Sequence, residues 1–350
     1  MTLPRRTFLT STLAATASLC ALSARAEGPH LQLVVPVPPG GSVDLTGRLL
    51  GERLPTLLKQ AVVVENRPGA SGSLAATQVA RAAGDANTLM LAFDSHATHP
   101  LVYPHLALDP RRDFTPISRL LSFPLVLAVP ASFPANDLAG FLARVKREPG
   151  RYNYSSAGLG TLNHLAVELL KERTGTHLVH IPYRGGVAAL QAVMTGEVHL
   201  FAGSWVAIGP HLKAGRLKVL GVTSAQRYSV APELPTLDES GLKGFDVSTW
   251  IAAFAPAGIG AARQQQLHAA VEQVPLHQRA VEAGEERVAE RARLALRNPV
   301  RLVQRRQPVQ PVEPLRDRGG RRQRQRAEAG IFLHAAADLR PAVGADQLQE

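Results

Sequence analysis

The sequence predicts an α/β protein built from two lobes. Three observations carry that expectation. Between Leu31 and about Val274, short β-rich runs alternate with amphipathic stretches at helical spacing. Gly- and Ser-rich loops follow several of those runs, and the 350-residue chain is long enough for two domains of roughly 100–200 residues each. Strands alternating with helices of this length imply βαβ units and a mainly parallel sheet. No segment repeats at a fixed period.

Leu31 to Val37 reads as the first strand, and Leu45, Leu49, Leu50, Leu54, Leu57 and Leu58 recur on one helical face. Val62 to Val64 is a strand closed by the turn Asn66-Arg67-Pro68-Gly69, with a helix near Ser73 to Arg81 and a strand at Thr88 to Phe93. Strand Leu125 to Val129, helix Asp137 to Lys146, strand Tyr152 to Ser155, helix Leu162 to Arg173 and strand Leu178 to Ile181 follow. A helix at Val187 to Met194 and strands at Val198 to Ala202, Leu217 to Val222 and Val247 to Phe254 complete the series. Crossings near Leu121 to Pro130 and Ser224 to Pro235 divide the chain into a first lobe of residues 27–121 plus 227–274 and a second of residues 122–226.

The two ends differ from this middle. Residues 1–26 read as a signal peptide: Arg5 and Arg6 supply charge, Leu9 to Leu22 is small and apolar, and Ala24-Arg25-Ala26 is an A-x-A cleavage site. The apolar run is shorter than the roughly 20 residues a bilayer span needs. Arg5-Arg6-Thr7-Phe8-Leu9 resembles a twin-arginine export signal, so the expected location is the periplasm after cleavage behind Ala26. Cys20 is the only cysteine, so the mature chain is expected to hold no thiolate site or disulfide. Residues 275–350 hold 15 Arg, no Lys, Tyr, Trp or Met and one Phe. That Arg/Gln-rich composition predicts a solvated, disordered tail.

Net charge is +11, which raises a nucleic-acid reading. The excess lies mostly in the two ends, however, since residues 27–274 carry 21 basic against 18 acidic side chains. No basic stripe interleaved with aromatics runs through the middle, and nucleic acid is not expected as a partner.

Four constellations could carry chemistry. Pro36-Val37-Pro38-Pro39-Gly40-Gly41-Ser42-Val43-Asp44 lies between the first strand and the first helix, where close backbone approach and free N–H groups favour an anion. It is not a nucleotide fingerprint, having neither G-x-G-x-x-G nor a G-K-[ST] ending. Tyr154-Ser155-Ser156-Ala157-Gly158-Leu159-Gly160-Thr161-Leu162-Asn163-His164 occupies the equivalent place in the second lobe, a second anion cradle facing the first. There His164 is a ligand contact or an ordinary helical histidine. The third, Asp94-Ser95-His96-Ala97-Thr98-His99, reads as a Ser/Thr loop with two histidines, weak support for a metal. In the fourth, His180-Ile181-Pro182-Tyr183-Arg184-Gly185-Gly186, Arg184 pairs a carboxylate or caps a loop. No G-x-S-x-G elbow, H-E-x-x-H or paired carboxylate motif supports an enzyme.

With these loops placed, residues 31 to about 274 resemble the tripartite tricarboxylate transporter substrate-binding receptors, the Bug family of periplasmic proteins. The strings that carry the resemblance include Pro36 to Asp44, Val63 to Ala76, Asp113 to Ser118, Tyr154 to Ala166, His180 to Phe201, His211 to Arg227 and Leu234 to Gly258. The resemblance implies a type II periplasmic-binding-protein fold with a ligand cleft between the lobes and closure over a small carboxylate. It implies no cofactor, no metal, no catalytic residue, a monomer, and the membrane subunits of the transporter as partners. The implied ligand contacts are Gly40, Gly41, Ser42, Asp44, Ser95 and Thr98 from the first lobe, and Ser155, Ser156, Gly160, Thr161, His164, Tyr183 and Gly185 from the second. A periplasmic co-receptor for a two-component system would use the same cleft; an exported hydrolase is the remoter alternative.

The sequence departs from the family in three places. His199 and Gly203 stand where the family usually has an acidic and a polar residue, which bears on ligand preference. Gly84-Asp85-Ala86-Asn87-Thr88 replaces a Pro-Asp-Gly-Tyr-Thr turn. Beyond Val274 the family continues with amphipathic helices, whereas here resemblance, Lys and most aromatics end together, which points to a reading-frame shift near codon 274.

Overall fold

The computed structural model describes residues 29–276. The expected signal peptide and nearly all of the Arg/Gln-rich tail lie outside the described residues. Two five-stranded sheets form the two lobes. In the first the spatial order is β2 (Val62–Asn66), β1 (Leu31–Val35), β3 (Thr88–Phe93), β10 (Ser248–Pro256) and β4 (Phe114–Pro124). The second runs β7 (Val179–Pro182), β6 (Asn153–Ser156), β8 (Leu200–Gly203), β5 (Val126–Pro130) and β9 (Leu217–Val222).

Each sheet is mixed rather than simply parallel. β10 runs antiparallel to β3 and β4, and β5 antiparallel to β8 and β9. The physical reason is the chain path: β5 and β10 are the strands that arrive from the opposite lobe, so each enters its sheet from the far end. β1 shows why the parallel part forms where it does. It is hydrogen-bonded on both sides, and its run Leu31-Gln32-Leu33-Val34-Val35 is apolar at every position but one, as a strand covered on both faces requires.

Among the described residues the helices are α1 (Ser42–Leu58), α2 (Ser73–Ala80), α3 (Ser95–Val102), α4 (Leu138–Arg147), α5 (Leu162–Thr174), α6 (Gly186–Met194), α7 (Trp205–Lys213) and α8 (Ala261–Glu272). Leu49, Leu50, Leu54 and Leu58 of α1 bury one face, and the helix stops at Lys59, whose backbone turns left-handed. Asp137 caps α4, its carboxylate accepting from the Gly140 amide at 2.7 Å. α8 returns to the first lobe, burying Leu267, Ala270 and Val271 in the same core as Leu50 and Leu54.

The outward crossing falls between Pro124 and Val126. The return does not fall at 226/227. Residues after β9 stay with the second lobe: Val222 and Thr236 form a parallel bridge, and Leu237, Phe245 and Val247 are buried with Phe141 and Tyr154. The Pro-containing stretch 224–235 is partly exposed but anchors Tyr228, Ala231 and Leu234 in the core, and the chain crosses only on entering β10. Thr223 ties both crossings together. Its hydroxyl accepts from the Leu125 amide at 2.9 Å and donates to the Val247 carbonyl at 2.6 Å, with no solvent exposure.

β4, α3, α7 and α8 are elements the sequence pattern did not disclose. The first three hold proline, Pro116 and Pro124 in β4, Pro100 in α3 and Pro210 in α7, which breaks the local signature while tertiary packing keeps the element, whereas α8, without proline, has its apolar residues thinly spread. No described helix is long and apolar enough to cross a membrane.

Candidate functional site

The two sheets direct the starts of α1, α3, α5 and α6 toward one another across the cleft. In the first lobe the loop before α1 is held by Asp44, which is 1% exposed. Its Oδ2 accepts from the Gly40 amide at 2.8 Å and Arg48 Nε at 2.9 Å, and its Oδ1 from Asn66 Nδ2 at 2.8 Å. Burial alone would push this carboxyl up, but the hydrogen bonds from Arg48, Gly40 and Asn66 outweigh it and hold the group below the ordinary carboxylate value. Both oxygens are engaged, so Asp44 shapes the loop. What the loop offers the cleft is the half-buried Gly41 and Ser42, where Gly41 precedes the first turn of α1 without a side-chain cap.

In the second lobe, α6 begins in the same manner. Gly185 lies at φ +106°, which an L side chain rarely adopts, and Gly186 opens the helix. The two helix starts meet across the lobes: a side chain at Gly185 would lie 3.0 Å from Pro38, and one at Gly40 would lie 3.9 Å from Val187. Side chains at Gly41 and Gly186 would meet nothing within 4 Å. Two helix starts brought this close suit a carboxylate, since the partial positive charge of each helix end favours an anion. Tyr183 stands beside this place, donating its hydroxyl to Glu197 at 2.7 Å.

The hydroxyls expected to contact a ligand are largely engaged within the protein. Ser155 donates to the Ala189 carbonyl at 2.9 Å, and Thr161 to the Gly158 carbonyl at 2.7 Å. Ser156 Oγ lies 2.6 Å from His180 Nε2. All three are fully buried. His164 stacks on His180 with ring centroids 4.1 Å apart, and its Nδ1 accepts from the Gly160 amide at 3.3 Å. Burial, with a contribution from His164, lowers His180 to about 4, so it stays neutral through the physiological range.

The region after β3 is helix α3, not a loop, and it closes against the second lobe. Thr98 donates to Ser95 O at 3.0 Å and across the cleft to Gly160 O at 2.8 Å. Ser71 donates across it to Leu159 O at 2.7 Å. Asp94 Oδ1 accepts from the Leu162 amide, the first residue of α5, at 2.7 Å. Ser95 is turned inward, donating to Ser71 O at 2.7 Å. The third constellation is therefore a lobe-to-lobe contact. His96 and His99 are 3% and 2% exposed, and His96 packs against Phe114 and Phe254 with neither ring nitrogen bonded to a described residue. Burial, then the neighbouring His99, lowers His96 to about 3. Among the described residues no group of three or more His, Cys, Asp or Glu is arranged to hold a metal.

Sequence reasoning passed over Ser71 and Thr249 and assigned no part to Asp94. Ser71 follows Ala70 in the left-handed region, two consecutive non-glycine residues there, and its carbonyl accepts from both Ser95 and His99. Such backbone strain persists only where surroundings over-determine it. The run Pro68-Gly69-Ala70-Ser71-Gly72 was the available signal. Of the family departures, His199 is turned away from the cleft, bonded to Asn153 and packed against Tyr152 and Phe133, so its effect is on packing. Gly203 ends β8 immediately before Ser204, which precedes the first turn of α7. Arg184 is exposed.

The model of the family described as tripartite tricarboxylate transporter family receptor matches residues 47–284. A protein encoded in the tcbD–tcbE intergenic region of Pseudomonas sp. (strain P51) is 36% identical over 239 residues, which cover 68% of this chain and 71% of that one. Among solved structures, the periplasmic binding protein BugD is 32% identical with a TM-score of 0.66, covering 69% of this chain and 81% of its own. MatC from Rhodopseudomonas palustris, with bound malate, is 29% identical with a TM-score of 0.71, covering 88% of this chain and 98% of its own.

Proposed function

The chain belongs to the family of tripartite tricarboxylate transporter receptors, and from that premise we propose that it captures a small di- or tricarboxylate or related acid between its lobes and presents it to the membrane subunits of such a transporter. The family is one of solute receptors with the type II periplasmic-binding-protein fold, so the chain is a binding protein and not an enzyme. The observation that carries the ligand reading is the approach of the helix starts at Gly41-Ser42 and Gly185-Gly186, where Gly185 nears Pro38 and Gly40 nears Val187, between two lobes that touch at Thr98 and Gly160. MatC, built on the same fold, has malate bound.

Within this proposal Gly40, Gly41, Ser42, Tyr183 and Gly185 line the carboxylate position. Asp44, Ser155, Ser156, Thr161 and His164 fix the loops, while Ser95, Thr98 and Gly160 form the closed seam. The leader of residues 1–26, cleaved behind Ala26, would deliver a monomeric receptor to the periplasm. The frame shift near codon 274 is a proposal on sequence grounds, tested by translating the neighbouring frames for a family-like continuation.

Thermal-shift measurement of the full chain against a panel of small carboxylic acids tests the function. A ligand present at 100 times its dissociation constant stabilises the folded state by about 2.7 kcal/mol, a clear rise in Tm. A folded protein that shifts with none of the acids would overturn the reading.

A further inference from the structure

Behind Ser71 the first lobe holds a small cavity at the carboxyl ends of β1 and β3, walled by Pro36, Gly72 and Phe93 and faced by His96, His99 and Ser95. Its volume is about 10 Å³, close to the roughly 10–15 Å³ that one water requires. The two histidines are 3% and 2% exposed, and Nδ1 and Nε2 of His96 and Nδ1 of His99 are buried without a bond to a described residue. The remaining ring nitrogen, His99 Nε2, lies 3.0 Å from the Ser71 carbonyl. Burial lowers the pKa of His99 and takes that of His96 to about 3, so both rings are neutral. A neutral imidazole has one donor and one acceptor nitrogen, and a carbonyl only accepts. His99 Nε2 therefore carries the proton, and its Nδ1 is a lone pair that needs a donor. His96 presents one nitrogen of each kind.

We propose that this cavity is an internal solvent site, one water held between His96 and His99, which fixes the strained Ser71 turn from behind and so positions the hydroxyl that bonds across the cleft to Leu159. Water is the ligand whose chemistry fits. It donates to His99 Nδ1 and exchanges a second bond with a ring nitrogen of His96. Ser95 Oγ, which gives its own proton to the Ser71 carbonyl at 2.7 Å, keeps lone pairs for a third. A metal ion does not fit: among the described residues no third His, Cys, Asp or Glu joins the two rings, and both oxygens of Asp94 are taken, by the Leu162 amide and the Thr249 hydroxyl. Phe114 and Phe254 pack on His96, an apolar surrounding that disfavours a charge. The consequence runs through Ser71. Ala70 and Ser71 lie at φ +45° and +54°, a conformation that persists only where its surroundings hold it. The Ser71 carbonyl is tied by Ser95 and His99, and its hydroxyl donates to Leu159 O at 2.7 Å. A water on Nδ1 orients the His99 ring and strengthens the bond that its Nε2–H makes. His96 and His99 are thus positioning residues for closure. The solvent site stands apart from the receptor reading, and its effect on closure rests on that reading.

A crystal structure of the full chain is expected to show one ordered water within about 2.7–3.2 Å of His99 Nδ1 and of a His96 nitrogen. Imidazole nitrogen shifts in the NMR spectrum should report His99 as the Nε2–H tautomer. His96→Phe, which leaves the bond between His99 and Ser71 in place, should expel the water. It should also raise the malate or adipate concentration for half-maximal compaction in X-ray scattering about five- to tenfold, the worth of one buried hydrogen bond. His96→Gln, which keeps a donor and an acceptor, should restore both the water and the affinity. A dry cavity, a direct bond between the two rings, an Nδ1–H tautomer of His99, or a folded His96→Phe that closes as readily as the wild type overturns the inference. A wild type that compacts with neither acid removes the link to closure, whereas the water and the tautomer decide the solvent site on their own.

Discussion

The two lobes share one sheet plan, three parallel strands followed by an antiparallel strand and a fifth, but use their helix starts differently. In the first lobe the loop before α1 is fixed from within, by Asp44 of the helix itself, and its Gly41 and Ser42 remain available. In the second lobe the loop before α5 is fixed from within by Thr161 and His164 and, unlike the first, also from outside by Asp94, Thr98 and Ser71 of the opposite lobe. Topological equivalence therefore does not confer equal roles. A cradle held only within its own lobe is free to take a ligand, whereas one that is also bonded to the opposite lobe reports closure.

The comparison breaks most severely at Asp44. Asp44→Ala leaves the Gly40 amide and the Asn66 side chain without their acceptor, and removal of such a buried group costs about 2–3 kcal/mol. The expected result is a lower denaturation midpoint together with loss of any carboxylate-induced thermal shift. The pH dependence gives an independent check. A carboxyl held below its unfolded value contributes stability in full above the unfolded pKa of about 4, and loses it as pH falls through the lower folded value. The wild-type advantage over Asp44→Ala should be complete at neutral pH and shrink below about pH 4. A gap that does not change down to pH 2 would mean that the charge of Asp44 is not what holds the loop.

A smaller effect separates the two cradles directly. Gly160 has φ +71°, and a side chain there would meet Val102 Cγ2 at 2.6 Å and Thr98 Oγ1 at 2.8 Å, both across the cleft. Gly160→Val should cost about 1–3 kcal/mol from the backbone alone and prevent the lobes from closing. Ser42→Pro acts in the opposite way: proline at the first position of a helix is well tolerated, so stability should hardly change, while one amide is lost from the open cradle. X-ray scattering with saturating acid should show the compaction of the wild type, none for Gly160→Val, and a compaction for Ser42→Pro that needs higher concentrations. Equal behaviour of the two variants would erase the distinction between a closing seam and a binding cradle.

The alternating plan was legible because β1, β3, β5 and β9 are short apolar runs and α1, α4 and α5 carry their apolar residues at helical spacing. Direct periodicity fails where proline interrupts it, as in α3 and β4, and where a strand's place depends on the other lobe, as in β10. The site was legible as loops but not as roles. Ser155, Ser156 and Thr161 share with Ser42 the chemistry of a ligand contact, and only burial and partners separate them. Asp94 lies 68 residues from Leu162, so no local pattern joins the acid to the helix it serves.

The finest distinction between the lobes lies in two histidines, the buried His96 behind the first-lobe wall and the half-buried His180 under the second-lobe loop. Both are depressed, to about 3 and about 4. Below the ordinary histidine pKa of about 6.5, the unfolded chain takes up a proton that the folded chain refuses, so stability falls with pH until the folded value is reached. For His180 that loss runs from about pH 6.5 to about 4, and for His96 it continues toward about 3. His180→Gln should flatten the upper part of the curve, leaving the slope between pH 4 and 3, whereas His96→Asn should remove that lower slope as well as part of the upper one. Urea midpoints between pH 7 and 3 measure the difference. If His180→Gln leaves the curve between pH 6.5 and 4 as steep as in the wild type, its imidazole is protonated in the folded state, and the stack with His164 cannot be neutral. The second-lobe loop would then hold a cation under its cradle, and the contrast with the first lobe would be one of charge as well as of support.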